Sequence, residues 1–407
     1  MIDLPDTYYG LPPEVRFCKR CVISNQRPSS TVEFKNTNLK KETISFDENG
    51  VCDACRYNEV KEQTEWKARE EMLFQFLEKY RSKDGSYDCI VPSSGGKDSS
   101  FTAHKLKYKY GMNPLTVTWA PNMFTDVGWN NVQGLINVGG IDNMLYSPNG
   151  QLHRLLTRLA FLNLGHPFQP FIHGQKIIGP KLAHHFRIPL IVYGENQAEY
   201  GNKISDNNKI TMDHDFFTTD DPQSMLMGGV AVRDIVERFD MDFRNFNAYV
   251  PLTRQQVEES NITKIYLGYF ERWDPQECYY YATENTGFRA ANERSDGTYS
   301  KYTEIDDRIV PFHFYTTLIK FGIGRATYDA AQEIRNNKIT REEGVALVNR
   351  FDTEFPATYF NDFIEYIGIS KHEFYAAIDG FRSPHLWRRI NGEWKLRHNV
   401  ALTGCDD

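Results

Sequence analysis

A glycine-rich loop between a strand and a helix constrains this 407-residue chain more than any other feature. Residues 87–92 (YDCIVP) are typical of a short buried strand, and residues 94–100 (SGGKDSS) follow almost at once. The two glycines permit positive φ and let backbone N–H groups converge on one phosphate, and the next helix would add its free N–H groups. The sequence therefore predicts a phosphate-binding turn at the carboxyl end of a parallel strand.

The side chains of this loop add charge and hydrogen-bond donors. Lys97 supplies a mobile positive charge, Asp98 can cap the helix or help to hold a cation, and the serine hydroxyls can donate to phosphate oxygens. The spacing is not that of the nucleoside-triphosphatase P-loop, which needs four residues between Gly and Gly-Lys. It resembles the Ser-Gly-Gly-x-Asp-Ser PP-loop of the ATP pyrophosphatase group, and this resemblance implies ATP binding and PPi release. The alternative is a Ser/Gly turn with an Asp helix cap.

Strand and helix patterns alternate around the loop. Strands separated by helices indicate a parallel α/β sheet with right-handed crossovers. The stretch 201–261 is polar and without clear periodicity, and we interpret it as an insertion or lid. Residues from about 309 onward are predicted to be mostly helical, with a capping box at Thr340 and Glu343. The predicted strands are 87–92, 115–119, 144–146, 188–193 and 265–270, and the predicted helices 73–80, 98–110, 129–136, 152–162 and 177–186.

Two Cys-x-x-Cys pairs, Cys18–Cys21 and Cys52–Cys55, lie in the irregular N-terminal region. Each pair can bring two thiolates to one tight turn, and two such turns complete a tetrahedral zinc site. Four thiolates leave no open coordination position, so the zinc would be structural and would fix a segment too polar to fold alone. Disulfides, unmetallated thiols and an iron–sulfur cluster are the alternatives. The cysteines without a partner at ligand spacing are Cys89, Cys278 and Cys405.

Charge and hydropathy narrow the classes of function. The chain carries a net charge of −7, with 47 basic and 54 acidic residues. A surface that follows a long nucleic acid usually has a basic surplus, so this balance disfavours a nucleic-acid partner. No run of about eighteen apolar residues occurs, and the N-terminus lacks a basic region followed by an apolar one. We therefore expect no membrane contact and a cytoplasmic protein in which paired cysteines bind metal.

The cysteine pairs, the loop and a C-terminal segment together resemble the N-acetyl sugar amidotransferase family. The resemblance spans nearly the whole chain and implies an enzyme that converts an acetamido group of a nucleotide-linked or nonulosonic sugar to an acetamidino group. Such enzymes serve O-antigen and other surface-polysaccharide pathways or flagellin glycosylation. The loop 165–171 (GHPFQPF) departs from the family, in which a Cys-rich version is common. The matching stretches are 18–22, 46–55, 94–100, 188–200 (IPLIVYGENQAEY), 320–326 (KFGIGRA), 333–335 and 341–343.

The resemblance implies a mechanism that uses ATP and Mg²⁺. The amide oxygen attacks the α-phosphate of ATP to form an O-adenylyl imidate, and ammonia then replaces AMP. Lys97 and Asp98 would neutralise and orient the phosphates with Mg²⁺. Glu195 and Glu199, just beyond a predicted strand end, are expected to contact Mg²⁺ or substrate and form the rest of the catalytic set. Their alternative role is loop capping.

Further contacts with ATP and substrate are expected around the same site. Lys320 and Arg325 flank a glycine turn and are expected to bind a phosphate or a sugar carboxylate, the alternative being ordinary surface charge. The residues predicted to hold ATP are Ser94, Gly95, Gly96, Lys97, Asp98, Ser99, Ser100 and Asn196.

The nitrogen source is expected to be a separate protein. The sequence has no Gly-x-Cys-x-Gly elbow, and residue 2 is Ile, so neither a triad glutaminase nor an N-terminal cysteine nucleophile is indicated. The resemblance implies a partner glutaminase of the imidazole-glycerol-phosphate-synthase type, with a cyclase-like barrel subunit as the ammonia conduit.

Two functions of other classes stay open. A tRNA-thiolating enzyme also combines a PP-loop with a cysteine module, but it needs a basic RNA surface and often a catalytic cysteine. A non-catalytic scaffold would keep the fold without the chemistry, which the intact loop disfavours. Fold similarity alone does not separate these functions.

The predicted organisation has three parts. An N-terminal zinc module built on the four paired cysteines covers 1–60, and a helical C-terminal region covers 276–407. Between them, residues 61–275 are predicted to form an α/β PP-loop (HUP-like) parallel sheet with helices on both faces and an insertion around 201–261.

Overall fold

The computed structural model describes residues 5–29, 33–207, 209–211 and 218–401, so Cys405 and part of the predicted insertion lie outside the described residues. In chain order, the helices are α1 Asp53–Glu62, α2 Trp66–Leu77, α3 Lys97–Tyr108, α4 Asp126–Asn137, α5 Gly150–Leu164, α6 Gln169–Phe186, α7 Ile204–Asn207, α8 Val232–Arg238, α9 Arg254–Ser260, α10 Pro275–Asn285, α11 Val310–Phe321, α12 Arg325–Arg335, α13 Arg341–Phe351, α14 Phe360–Ile367 and α15 Lys371–Phe381. The strands are β1 Cys89–Pro92, β2 Pro114–Trp119, β3 Asp142–Tyr146, β4 Leu190–Tyr193, β5 Leu226–Met227, β6 Val230–Ala231, β7 Thr263–Tyr266, β8 Trp387–Ile390 and β9 Glu393–Leu396.

Five strands form one parallel sheet in the order β3-β2-β1-β4-β7. Ile90 of β1 is in register with Leu115 of β2 on one side and with Ile191 of β4 on the other. The chain therefore moves outward in one direction through β2 and β3, and in the other through β4 and β7. The loops after β1 and β4 flank this switch point, where open α/β sheets bind their ligands.

Helices cover both faces of the sheet because its strands are apolar on both sides. Ile90 and Ile191 belong to a buried cluster that also contains apolar residues of α5 and α6. Cys89 and Val91 point to the other face, where α2, α3 and α10 contribute Leu73, Phe101 and other residues. Successive side chains of each strand point to opposite faces of the sheet, and both faces are covered by helices. The sequences of β1 and β4 are therefore continuously apolar.

The N-terminal cysteine region packs on the C-terminal helices. The cysteines share a buried cluster with Ile323, Ala330 and Ala331 around α12 and with Val345 and Val348 of α13. The two ends of the chain thus build one core between them.

The sequence-based secondary structure is confirmed in its main features and wrong in two places. The parallel sheet, the helices on both faces and the helical C-terminal region are all present, and Thr340 and Glu343 form the predicted capping box. In the stretch 201–261, where no element was predicted, the described residues form three short helices and the β5–β6 hairpin and bury Phe246 and Tyr249. The interpretation of this stretch as an insertion or lid stays a prediction. The strand predicted for 265–270 is instead β7, which ends at Tyr266 before a 3-10 turn.

None of the helices in the described part of the chain is long and apolar enough to cross a membrane.

Candidate active site

The glycine loop lies at the switch point of the sheet, between the end of β1 and the start of α3. Gly95 has a φ of +77°, a conformation that residues with a Cβ rarely adopt. A Cβ at this position would also lie 2.7 Å from the backbone nitrogen of Val132 in α4. The loop conformation and the close packing of α4 both require glycine here.

The first turn of α3 has free backbone donors. Gly96 is the N-cap residue, and no side chain of the described residues caps the helix. The Ser93 hydroxyl donates to Ser99 Oγ at 2.9 Å and accepts from the nitrogen of Gly95 at 3.1 Å, which fixes the loop from behind. An uncapped helix start presents its N–H groups and the positive end of its dipole to an anion. The loop is therefore a preformed phosphate cradle.

Lys97 and Asp98 form an ion pair beside this cradle. Burial would lower the pKa of Lys97, which is 5% exposed, but the charge of Asp98 and the hydrogen bond to it outweigh burial and raise the pKa. The amine therefore stays protonated. Asp98 Oδ1 is buried and has no hydrogen-bond partner among the described residues. Hard divalent cations take such carboxylate oxygens, so the arrangement fits Mg²⁺ bound together with phosphate.

Glu195 faces the loop from the turn after β4. Tyr200 Oη donates to its Oε1 at 3.0 Å. Burial, followed by the charge of Asp98, raises the pKa of Glu195 to about 7, and Lys97 opposes this shift. The Glu195 carboxyl is thus electrostatically coupled to Asp98 and Lys97, and a bound cation would favour its ionised form.

Residues 304–306 form a third wall of this site, beside the glycine loop and Glu195. The Asp306 carboxyl lies beside the Ser94 hydroxyl, and burial raises its pKa while that hydroxyl lowers it. A Cβ on Gly128 of α4 would lie 2.5 Å from Asp306 Cα, so the segment and the helix are in direct contact. Glu304 has an exposed side chain that lies between the surrounding walls. The partial loss of water around its carboxyl raises the pKa to about 7, and Arg325 opposes this shift. We call the space between residues 94–98, Glu195 and 304–306 the nucleotide crevice.

Glu199 and Asn196, in the same turn as Glu195, make structural contacts. The Glu199 carboxylate pairs with Lys61 Nζ at 2.8 Å, and its carbonyl accepts from Arg335 at 3.0 Å. Asn196 Oδ1 accepts from the nitrogen of Ala198 at 2.9 Å and caps a 3-10 turn. These contacts favour loop capping over the predicted contacts of Glu199 with Mg²⁺ or substrate and of Asn196 with ATP.

Lys320 is buried, and its ammonium group is fully hydrogen-bonded within the protein. It is 1% exposed and donates to Glu33 Oε2 at 2.7 Å, to Asn36 Oδ1 at 3.1 Å and to the carbonyl of Leu164 at 2.8 Å. All three donors of its ammonium group are used. Binding of a phosphate or a sugar carboxylate by Lys320 stays a prediction, and it would require one of these three hydrogen bonds to be replaced.

Arg325 is also buried. Its guanidinium group donates to the carbonyls of Thr303 and Glu304 and lies 5.1 Å from the centre of the Phe314 ring. It therefore positions the segment that carries Glu304 instead of lying on the surface. A direct contact of Arg325 with substrate stays a prediction.

Cys278, Glu304 and Asp306 lie at the crevice but were not predicted as site residues. Cys278, on α10, is 1% exposed, and burial followed by the charge of Asp98 raises the pKa of its thiol well above the ordinary value. The thiol therefore stays protonated. No sequence signal identifies these residues, since α10 meets α3 and residues 304–306 meet the loop only through tertiary packing.

The four N-terminal cysteines form one compact cluster, as predicted. Their sulfur atoms all lie within 4.8 Å of one another, with Cys21 to Cys52 at 3.7 Å and Cys18 to Cys55 at 3.9 Å. A tetrahedral ion with Zn–S bonds of about 2.3 Å places its sulfurs about 3.8 Å apart. All four thiols are buried and none forms a disulfide. This four-cysteine cluster fits a single tetrahedral metal ion.

Arg335 connects this cluster to the turn after β4. Burial would lower the pKa of Arg335, but Cys21, Cys55, Cys52 and Glu199 raise it, so the guanidinium stays charged beside the sulfurs. The same side chain donates to the carbonyl of Glu199. The four-cysteine cluster therefore supports the turn that carries Glu195.

The sheet order, the uncapped glycine loop at the switch point and the adjoining carboxylates define a PP-loop α/β domain, joined to a four-cysteine cluster and a helical C-terminal region. This is the architecture of an ATP-using enzyme of the PP-loop class. Residues 296–400 match the family described as LPS biosynthesis protein WbpG-like, C-terminal domain. The match fits the N-acetyl sugar amidotransferase family that the sequence resembles, and it includes the wall formed by Glu304 and Asp306.

Solved structures give weak likenesses. The U34-tRNA thiolase NcsA from Methanococcus maripaludis with its [4Fe–4S] cluster is 11% identical, with 84% of this chain and 100% of that chain covered at a TM-score of 0.29. NMN synthetase from Francisella tularensis is 12% identical, with 55% and 87% covered at a TM-score of 0.25. Both likenesses are too distant to bear on function, and the fold assignment rests on the chain's own topology. Comparison with curated proteins finds no match.

Proposed function

We propose that this protein is an ATP-dependent amidotransferase that converts the acetamido group of a nucleotide-linked or nonulosonic sugar to an acetamidino group. Ammonia for the reaction would come from a partner glutaminase. One observation carries the proposal: the WbpG-like segment supplies a wall of the nucleotide crevice, because Asp306 is in contact with Gly128 of α4 and lies beside the Ser94 hydroxyl. A segment related to lipopolysaccharide synthesis thus lies where an activated substrate would have to be held.

The glycine loop supports the adenylation step. An amide carbonyl resists attack by ammonia, so the amide oxygen first bonds to the α-phosphate of ATP and PPi leaves. The N–H groups of the α3 start and the buried ammonium of Lys97 are suited to the charge that develops on PPi. Asp98, whose Oδ1 has no partner among the described residues, is the residue that would hold Mg²⁺, which supplies further neutralisation of the phosphates.

The second step forms the amidine. Ammonia adds to the imidate carbon, the nitrogen loses a proton, and AMP leaves with the former amide oxygen. Glu195 has a pKa of about 7, so it can take up this proton near neutral pH. The crevice walls have to exclude water, because water would hydrolyse the same intermediate.

The four-cysteine cluster serves a structural role in this proposal, and we assign it one zinc ion. Four thiolates leave no coordination position for a substrate. The sulfur–sulfur distances of 3.7 and 3.9 Å match one central ion, whereas a four-iron cluster would need its iron and sulfide atoms between the thiolates.

Mass spectrometry of candidate sugars tests the reaction. Nucleotide-linked N-acetyl sugars would be incubated with protein, ATP, Mg²⁺ and ammonium chloride. We expect a product in which NH replaces the acetamido oxygen, with one AMP and one PPi formed per product. Formation of ADP instead would exclude adenylation.

Two variants sharpen this experiment. Lys97→Met should abolish AMP and PPi formation, whereas Lys83→Met, a change at an exposed residue before β1, should leave the rate unchanged. Glutamine in place of ammonium should support the reaction only after a glutaminase is added. Equal use of glutamine by the pure protein would remove the need for the partner glutaminase and its cyclase-like barrel conduit.

A tRNA-modifying function is the second candidate, because Cys278 lies beside Lys97 and Asp98. Its buried, protonated thiol and the net charge of −7 disfavour sulfur transfer to RNA. Cys278→Ala should therefore retain sugar-dependent AMP formation. Salt-sensitive tRNA binding together with a complete loss of AMP formation in this variant would favour thiolation.

A further inference from the structure

A small cavity lies behind the nucleotide crevice, between α12 and the start of α10. Its volume is about 20 Å³, which is the size of one water molecule or one ammonium ion. Its outer side is formed by Pro275, Gln276 and Lys338, which are partly exposed. The full lining is Asp274, Pro275, Gln276, Tyr302, Thr303, Asp329, Gln332, Glu333, Asn336 and Lys338, and we call this space the acidic pocket.

Asn336 has an unused acceptor in the acidic pocket. The residue is 8% exposed, and its Nδ2 donates to the carbonyl of Gln332 at 3.0 Å. Its Oδ1 is buried and has no hydrogen-bond partner among the described residues. Buried acceptors are nearly always satisfied, so this oxygen indicates a bound donor that the protein itself does not supply.

The charges around the pocket favour a cation as that donor. Lys338 is paired with Asp274 at 3.0 Å and so neutralises only one of the three carboxylates. Glu333 accepts from Tyr299 Oη at 2.7 Å, and Asp329 accepts from the Thr298 hydroxyl, so both keep further lone pairs. Burial raises the pKa of both carboxyls, and Arg325 and Lys97 oppose this shift at Asp329. The charges of Asp329 and Asp274 raise the pKa of Glu333 further, so a cation beside Glu333 would be stabilised.

The acidic pocket is electrostatically continuous with the nucleotide crevice. Lys97 of the glycine loop and Arg325 both act on Asp329, and Asp274 acts on the thiol of Cys278 in the crevice. Asp329 and Asp274 are therefore close enough to the crevice for their charges to act on its groups.

We propose that the acidic pocket binds ammonium and supplies the nitrogen of the reaction. This inference rests on the proposed function, because only a nitrogen-transferring enzyme needs such a site. Ammonium has four N–H donors and no acceptor, which matches a pocket whose free groups are Asn336 Oδ1 and carboxylate oxygens. On leaving, the ion gives one proton to Asp329 or Glu333, and neutral ammonia, with its lone pair free, moves on.

Thermal unfolding tests the binding without any turnover. The full-length protein would be heated in ammonium chloride, potassium chloride and tetramethylammonium chloride at equal ionic strength. Ammonium should raise the unfolding temperature relative to tetramethylammonium, which is too large for the pocket. Asn336→Leu and Glu333→Gln should abolish this difference, whereas Glu342→Gln, at an exposed position on α13, should keep it.

Three results would overturn the assignment: no ammonium-dependent shift in the wild type, an equal shift with potassium, or a shift that persists in both pocket variants. No ammonium-dependent shift would indicate that the cavity holds water. An equal shift with potassium would indicate a site for potassium as well as ammonium.

Steady-state kinetics adds a second readout. Glu333→Gln should raise KM for ammonium about tenfold, with little change in kcat at saturating ammonium or in KM for ATP. An unchanged KM for ammonium would contradict the pocket. If the thermal shift is present but no sugar forms an amidine, the proposed reaction is wrong and the ammonium site stands.

Discussion

Lys61 of α1 and Glu199 of the turn after β4 form a buried ion pair with an N–O distance of 2.8 Å. Lys61 Nζ also donates to the carbonyl of Trp273 at 2.8 Å. The pair joins the four-cysteine region to the loop that carries Glu195, so the packing of the four-cysteine cluster and the geometry of the crevice are connected.

Removal of one partner of the Lys61–Glu199 pair should lower the free energy of unfolding. Lys61→Met leaves the Glu199 carboxylate buried without its cation, and we expect the free energy of unfolding to fall by about 3–5 kcal/mol. Urea denaturation measures the change. The double variant Lys61→Met/Glu199→Gln should recover part of the loss, and Lys395→Met, in an exposed ion pair, should change nothing measurable. A Lys61→Met protein as stable as the wild type would contradict this account.

Gly95 should tolerate no side chain. Gly95→Ala combines an unfavourable positive φ, which costs on the order of 1–2 kcal/mol, with a clash against Val132. The loop should shift and ATP-dependent PPi formation should be lost. Gly380→Ala is the matched control because a Cβ there meets open space inside α15, and it should be neutral or slightly stabilising. Full activity in Gly95→Ala would show that the cradle is not used.

Metal analysis tests the four-cysteine cluster. We expect one zinc per chain, released by a thiol-modifying reagent together with a fall in the unfolding temperature. Cys52→Ser should lose the metal, whereas Cys89→Ser, a buried cysteine outside the cluster, should keep it. Four iron atoms with acid-labile sulfide would reject the zinc assignment.

The raised pKa of Glu195 predicts a pH dependence of stability. Between its ordinary value of 4.5 and about 7, the native carboxyl keeps a proton that the unfolded chain has already released. The free energy of unfolding should therefore fall as pH rises through this window. Glu195→Gln removes this contribution, so the variant should gain on the order of 1–3 kcal/mol relative to the wild type by pH 7 without Mg²⁺.

Urea denaturation of both proteins from pH 4.5 to 8 measures this difference. Taking the difference cancels the contributions of other carboxyls with raised pKa values, such as Glu304 and Asp307. Glu342→Gln should follow the wild-type profile. A wild-type protein whose stability relative to Glu195→Gln rises with pH would reverse the assigned sign.

Most of the fold could be predicted from local patterns in the sequence. The apolar strands, the glycine loop and the cysteine pairs are each defined within a few residues, so they could be predicted without tertiary information. The region 201–261 could not, because its helices and strands are short and because residues such as Phe246 and Tyr249 become core residues only against α5 and α6.

The site was predictable only where its residues directly follow strands. Glu195 lies next to β4 and was expected at the crevice. Lys320 carries a charge ahead of a glycine turn, and nothing in its local sequence reveals that Glu33 and Asn36 enclose it. Glu304 and Asp306 reach the loop across about two hundred residues of chain, through contacts that no periodicity records.

The packing of the first cysteines on α12 and α13 has a consequence for synthesis of the protein. Neither the cluster core nor the Asp306 side of the crevice can form until most of the polypeptide has left the ribosome. A nascent chain with a finished sheet is therefore still unable to close its catalytic pocket. Premature termination should yield inactive fragments rather than an enzyme that wastes ATP.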